Sequence, residues 1–124
     1  MNLLERLKQN NADFVDMIGI DNIWIEAEEW TEGQWNYDND NTDVIVTLTN
    51  GEKYVGSFFT YSNIQELAVK NQRTGENLKG KYLWSSDMIL IDKCSRQDIE
   101  LVIDELLKQD ELTSVFAKIE ESGL

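Results

Sequence analysis

Residues 44–61 read Val44-Ile-Val-Thr-Leu-Thr-Asn-Gly-Glu-Lys-Tyr-Val-Gly-Ser-Phe-Phe-Thr-Tyr61, and this stretch decides the fold. Two runs rich in β-branched and aromatic residues flank Asn50-Gly51. Asn-Gly suits a two-residue hairpin turn because both central positions take positive φ. Such a turn sets Thr49 opposite Glu52, Thr47 opposite Tyr54, Val46 opposite Val55 and Ile45 opposite Gly56. Val44, Val46, Val55, Phe59 and Tyr61 then share one face, and Ile45, Tyr54 and Phe58 the other. Both faces are apolar enough to be covered, which places the hairpin centrally in a sheet.

Upstream, Ile23 to Trp30 alternates, with Ile23, Ile25 and Ala27 on one side and Trp24, Glu26 and Glu28 on the other. It reads as a strand with one polar face. Thr31 to Asn41 is rich in Gly, Asn and Asp and reads as a long loop. Further back, Leu3, Leu4, Leu7, Phe14, Val15 and Ile18 recur at helical spacing, so an amphipathic helix is expected over residues 2–18, ended by Gly19.

Downstream, Ser62 or Asn63 can cap a helix running to about Gln72, with Gln65 or Glu66 completing a capping box. A turn-rich loop follows through Gly75 and Gly80. Tyr82 to Ile91 reads as a buried strand. Ser95-Arg-Gln-Asp98 opens another helix, whose Ile99, Val102, Ile103 and Leu106 keep an i, i+3, i+4, i+7 stripe. Leu112, Val115, Phe116 and Ile119 repeat that pattern and predict a second terminal helix. The element order is α-β-β-β-α-β-α-α. It predicts a single domain over residues 1–124 of the α+β class: a mostly antiparallel sheet of about four strands with helices packed on it.

Charge is unevenly placed. The chain carries 24 acids against 11 bases, a net charge of −13. Residues 9–52 hold eleven carboxylates and no Lys or Arg, which leaves 13 acids against 11 bases elsewhere. Trp24, Trp30, Trp35 and Tyr37 lie in the same window. Clustered acids among large aromatics suit a contact surface for a basic protein more than a catalytic site. The candidate partner-binding residues are Glu26, Glu28, Glu29, Trp30, Glu32, Trp35, Tyr37, Asp38, Asp40 and Asp43. The alternative is an edge strand and loop whose charges only face water. A surface this acidic repels phosphate backbones and anionic lipid, so neither direct nucleic-acid binding nor membrane binding is expected. There is no apolar run long enough to span a bilayer. The N-terminus lacks the layout of a signal peptide, and Cys94 is the only cysteine, which fits a reducing, cytoplasmic compartment.

Catalytic chemistry finds little to work with. The chain has no histidine, which removes the usual triad base and the commonest metal ligand. Asp38-Asn-Asp-Asn-Thr-Asp43 resembles part of a calcium loop, but the required Gly and bidentate Glu positions hold Asp43 and Thr49. Cys94 lies between Lys93 and Arg96, a setting that can lower a thiol pKa, yet no base accompanies it. Glu28 and Glu29 point to opposite faces if the segment is a strand. No enzyme activity, metal or cofactor is expected.

A segment of the chain also carries a pattern: Tyr54-Val-Gly-Ser-Phe-Phe-Thr-Tyr61, Asn63-Ile64, Thr74-Gly75-Glu76, then Gly80-Lys81-Tyr82 with Trp84 and Asp87-Met88-Ile89. Over residues 44–107 this resembles the CdiI immunity proteins of contact-dependent growth inhibition, small cytoplasmic antidotes to bacterial CdiA toxins. Leu83 and Asn77 depart from the pattern, which favours an aromatic and a cysteine there. The resemblance implies a non-enzymatic protein, a monomer in a 1:1 heterocomplex with one cognate CdiA C-terminal toxin domain. That toxin is expected to be a basic nuclease, an RNase rather than a DNase, blocked at its active-site cleft. The resemblance also implies that Gly75 and Gly80 make turns, that Tyr82 and Trp84 pack the fold and that Asp87 satisfies backbone donors. The second reading of the chain is an acidic secretion chaperone or adaptor that binds an effector segment.

Overall fold

The computed structural model describes residues 18–120. Its centre is a five-stranded sheet. β1 (Ile20–Ile25), β2 (Asn41–Leu48) and β3 (Lys53–Thr60) run antiparallel in sequence order. The far edge of β3 is shared. Its C-terminal half, Ser57 to Thr60, pairs parallel with β4 (Met88–Ile91), and Tyr54 and Val55 pair antiparallel with β5 (Ala117–Lys118). Between β3 and β4 runs α1 (Tyr61–Thr74), the helical crossover that a parallel pair requires. α2 (Arg96–Lys108) and the single turn α3 (Leu112–Val115) complete an α+β architecture.

The hairpin is central, as expected, but its register differs by one residue. Val46 pairs with Tyr54 and Ile45 with Val55. The connection is a three-residue turn: Gly51 N–H donates to Leu48 O at 2.9 Å, Leu48 N–H donates to Glu52 O at 2.9 Å, and Gly51 takes φ +89°. A type I turn closed by a left-handed glycine uses Asn-Gly as readily as the two-residue turn does. Because side chains alternate, the slip exchanges partners across the hairpin. Thr42, Val44, Val46 and Leu48 share the buried face with Tyr54, Gly56, Phe58 and Thr60, while Val55 and Phe59 lie on the less buried side. Gly56 is small for a reason: a Cβ there would stand 2.9 Å from Ile89 and 3.0 Å from the Phe116 ring.

Other boundaries also move. β1 ends at Ile25, and Glu26–Glu29 form a 3-10 turn rather than more strand. Ala27 N–H, freed from the ladder, donates to the buried Thr42 hydroxyl at 2.9 Å. The cap of α1 is Thr60, whose Oγ1 accepts from Asn63 N–H; Ser62 and Asn63 are already helical. α2 starts as expected, with Ser95 accepting from Asp98 N–H. Ile99 and Ile103 are buried and Val102 and Leu106 pack beside them. The second terminal helix shortens to one turn, because Phe116 turns extended and Ala117 and Lys118 join the sheet. Ile119 N–H extends that pairing by donating to Lys53 O at 2.8 Å. Apart from its last residue, the helix expected over residues 2–18 lies outside the described residues.

The strand expected over Tyr82 to Ile91 survives only as Met88–Ile91. Ahead of it the chain makes a left-handed turn: Asn77, Leu78 and Lys79 have φ of 54°, 53° and 61°, and Gly80 has φ +80°. Gly75 and Gly80 therefore do serve turns. Tyr82 and Trp84 do not pack the fold, for Trp84 is 73% exposed and Tyr82 51%. The core instead gathers Ile25, Val44, Val46, Phe58, Ile99, Ile103, Leu112 and Phe116 between the sheet and the C-terminal helices.

Candidate functional site

The loop between β1 and β2 is polar, yet it is held at many points. Asn36 Oδ1 accepts from Asp38 N–H at 3.0 Å, and Asp40 Oδ2 accepts from Asn36 N–H at 3.1 Å. Asp40 Oδ1 also accepts from Asn41 N–H. Such side-chain-to-backbone bonds are why Asn and Asp favour turns. Two outside anchors fix the loop to the fold. Cys94 N–H donates to Tyr37 O at 2.8 Å, and Thr60 exchanges bonds with Asp40 through its amide and its hydroxyl. Asn39 and Asn41 reach across to Glu66 and Asn63 on α1. The acid-rich run 38–43 is thus a turn scaffold, and among the described residues no three Asp, Glu or Cys side chains are grouped to hold a metal.

The 3-10 turn and this loop enclose a surface depression of about 420 Å³. Glu28, Trp30, Glu32, Trp35 and Tyr37 line it, five of the ten residues expected to bind a partner. Trp35 and Tyr37 meet edge to face, ring centres 5.0 Å apart at 89°. Trp30 and Trp35 pack their inner sides on the core, while Tyr37 is 51% exposed. Rings fixed from behind and open in front are the kind of anchor that loses little entropy on binding.

The remaining five do not line the depression. Glu29 is exposed on the 3-10 turn. Glu26 and Asp43 meet at the β1–β2 border, where Glu26 Oε1 accepts from Asp43 N–H at 3.3 Å. Asp43 also accepts from the Ser57 hydroxyl at 2.6 Å. Asp40 is occupied by the backbone bonds just described. Asp38 stands 3.9 Å from Lys93 Nζ, with both side chains mostly exposed, so that pair contributes little.

Tertiary structure also compensates part of the acidic window. Arg96 grips Glu28 with two bonds of 2.6 Å and donates a third to Ile23 O at 2.8 Å. This clamp ties the start of α2 to the end of β1. Glu52 is likewise paired with Lys118 at 2.8 Å. Of the two carboxylates that line the depression, Glu28 is paired and Glu32 makes no ion pair among the described residues, so Glu32 carries the field there. Arg96 lies 68 positions from Glu28 and gives no local signal in the sequence.

The Glu28–Arg96 pair gives a pH prediction. The bond from Arg96, helped by its charge and only partly opposed by burial, holds the Glu28 carboxyl below the usual glutamate value of 4.5. A depressed folded-state pKa contributes stability that is complete above the unfolded value and lost as pH falls through the folded one. Arg96, whose own pKa is raised by Glu28, stays charged throughout. Arg96→Gln should therefore cost about 1 kcal/mol or less near neutral pH, since both groups are over a third exposed. That gap should narrow in urea titrations below about pH 4. A residue should persist, from the lost bond to Ile23 O.

Cys94 is fully buried, and burial pushes its thiol pKa up. The Trp35 indole N–H, buried without a hydrogen-bond partner, stands near enough to lower it in part. That proximity is a weak polar contact rather than a bond. The cationic neighbours in sequence do not activate this thiol.

Sequence reasoning missed one surface feature. Leu78, 69% exposed, joins Tyr82 and Trp84 in the segment around the left-handed turn, with Lys79 and Lys81 between them. Consecutive left-handed residues leave no hydrophobic period to read, so the aromatics looked like strand. Among the described residues no helix is long and apolar enough to cross a membrane. A scan of protein-family models and searches of curated proteins and of solved structures found no match to this chain.

Proposed function

We propose that this chain is a non-enzymatic binding protein whose acidic, ring-lined depression docks a cationic protein. The observation that carries this reading is the joining of Trp30, Trp35 and Tyr37 with the uncompensated Glu32 in one depression. Opposite charge speeds encounter with a basic partner, and desolvated aromatic anchors hold it.

Within that class, the particular role we propose is a CdiI-type immunity protein, acting in the cytoplasm. It neutralises a CdiA C-terminal toxin domain, a nuclease of the RNase kind, by covering its basic active-site cleft. A cleft that attracts phosphates is the natural complement of this face. The resemblance across residues 44–107 supports the assignment independently of the charge.

The test is to look for a neighbouring gene encoding an exported protein that ends in a small basic domain, to co-express the chain with that domain, and to weigh the product by native mass spectrometry. A monomer forming a 1:1 complex that abolishes the domain's nuclease activity is the expected result. A homodimer that binds only an extended effector segment would contradict it and favour a secretion chaperone.

A further inference from the structure

From the chemistry of the depression we infer that it receives one arginine side chain of the partner. This deepens the reading above and rests on it for the partner, though not for the chemistry of the pocket. Its lining combines three aromatic rings with carboxylates and contains no Lys or Arg. Ring faces attract a cation through their quadrupole, most strongly where water is partly excluded. At about 420 Å³ the depression sits low in the range of small-ligand sites, roughly 300–1,000 Å³. One long side chain fits that volume; a helix does not.

Arginine suits the site better than lysine. Its planar guanidinium stacks on a ring while its forked N–H groups engage a carboxylate, which a compact ammonium cannot do together. The rim already shows this chemistry from within the chain. Arg96 engages Glu28 in a two-bond fork at 2.6 Å, so the 3-10 turn accommodates a guanidinium. Glu28 is thereby satisfied, and Glu32, four residues on, makes no ion pair among the described residues. Glu32 is the carboxylate left to meet an incoming charge, and Tyr37 is the most exposed ring of the lining.

The experiment uses the chain alone, with Nα-acetyl-arginine amide as probe and the lysine and norleucine amides as controls. Binding is followed by NMR at the tryptophan indole N–H signals. The arginine probe should shift Trp30 and Trp35, leave still the exposed Trp84, which does not line the depression, and bind in roughly the millimolar range expected of a single side chain. Lysine should bind more weakly and norleucine should not shift these signals. Tyr37→Phe should retain binding, whereas Tyr37→Ala and Glu32→Gln should each weaken it about 3- to 10-fold. Equal shifts with norleucine, shifts that spread to Trp84, or binding unchanged in both weakening variants would overturn the inference. Because no toxin is present, such a failure is separable from a failure of the proposed function. A toxin complex that forms while the probe does not bind refutes the arginine pocket and leaves the docking face standing.

Discussion

Replacing Phe58 by alanine is expected to remove a large part of the domain's stability. Phe58 is fully buried in the C-terminal half of β3, the strand that pairs with β2, β4 and β5. Its ring meets Phe116 edge to face, with centres 6.1 Å apart. Phe116 directly precedes β5, so the two rings help hold the C-terminal strand on the sheet. Removing a buried phenyl group costs about 3–5 kcal/mol, through lost transfer energy and the cavity left behind. Total stabilities of domains are about 5–15 kcal/mol. Thermal unfolding should fall by more than about 10 °C. Affinity for a partner, counted per folded molecule, should not change, because Phe58 does not line the depression. An unaltered melting temperature would mean that the β3–β5 packing is wrongly placed.

The second large effect is expected at Gly80. It holds φ +80°, where a Cβ would stand 2.6 Å from the backbone oxygen of Ala68 on α1. Neither partner in that contact can rotate away, since one is backbone and the other a carbonyl inside a helix. Gly80→Ala should lose about 2–4 kcal/mol, combining the left-handed penalty with overpacking. Lys79→Gly, one residue earlier, should do the reverse. Lys79 already adopts φ 61° with a full side chain, so glycine should be neutral or up to about 1 kcal/mol more stable in urea titration. Opposite signs at adjacent positions would be hard to explain by anything except the left-handed turn.

How much of this was legible in the sequence differs from element to element. α2 was clear because a Ser cap, an acidic first turn and an apolar stripe all agreed. The hairpin was clear as a hairpin, but Asn50-Gly51 serves two turn lengths, and both faces of β2 and β3 carry β-branched or aromatic residues. Pattern could not choose between registers one residue apart. The small and polar residues could have helped: Thr42, Gly56 and Thr60 share the buried face because a cap, a buried amide and two close side chains need them there. Phe116 illustrates the opposite limit. Its helical spacing with Leu112 and Ile119 was real, yet the free edge of β3 claimed the chain instead.

The candidate site was legible in composition but not in its electrostatics. Five of the ten expected residues converge on the depression because the 3-10 turn and the loop fold over one end of the sheet. Asp40 belongs to the turn scaffold, and Glu28 is neutralised by an arginine far along the chain. Counting acids in a window therefore overstates the field, because tertiary structure supplies cations that the window lacks. With Glu28 paired to Arg96, the depression keeps Glu32 beside three rings, a smaller and better-defined face than the sequence alone suggested.

The proposed role of this face is to meet a cationic protein. The most direct measurement is the affinity for the proposed toxin domain, as a function of salt, of the wild type and of a variant carrying Glu29→Lys, Glu32→Lys and Asp38→Lys. These side chains are exposed, so the variant should keep the wild-type fold and melting behaviour. Affinity should fall by about 100-fold or more, with slower association and little remaining dependence on salt. A variant that binds as tightly as the wild type, with the same salt slope, would contradict that role.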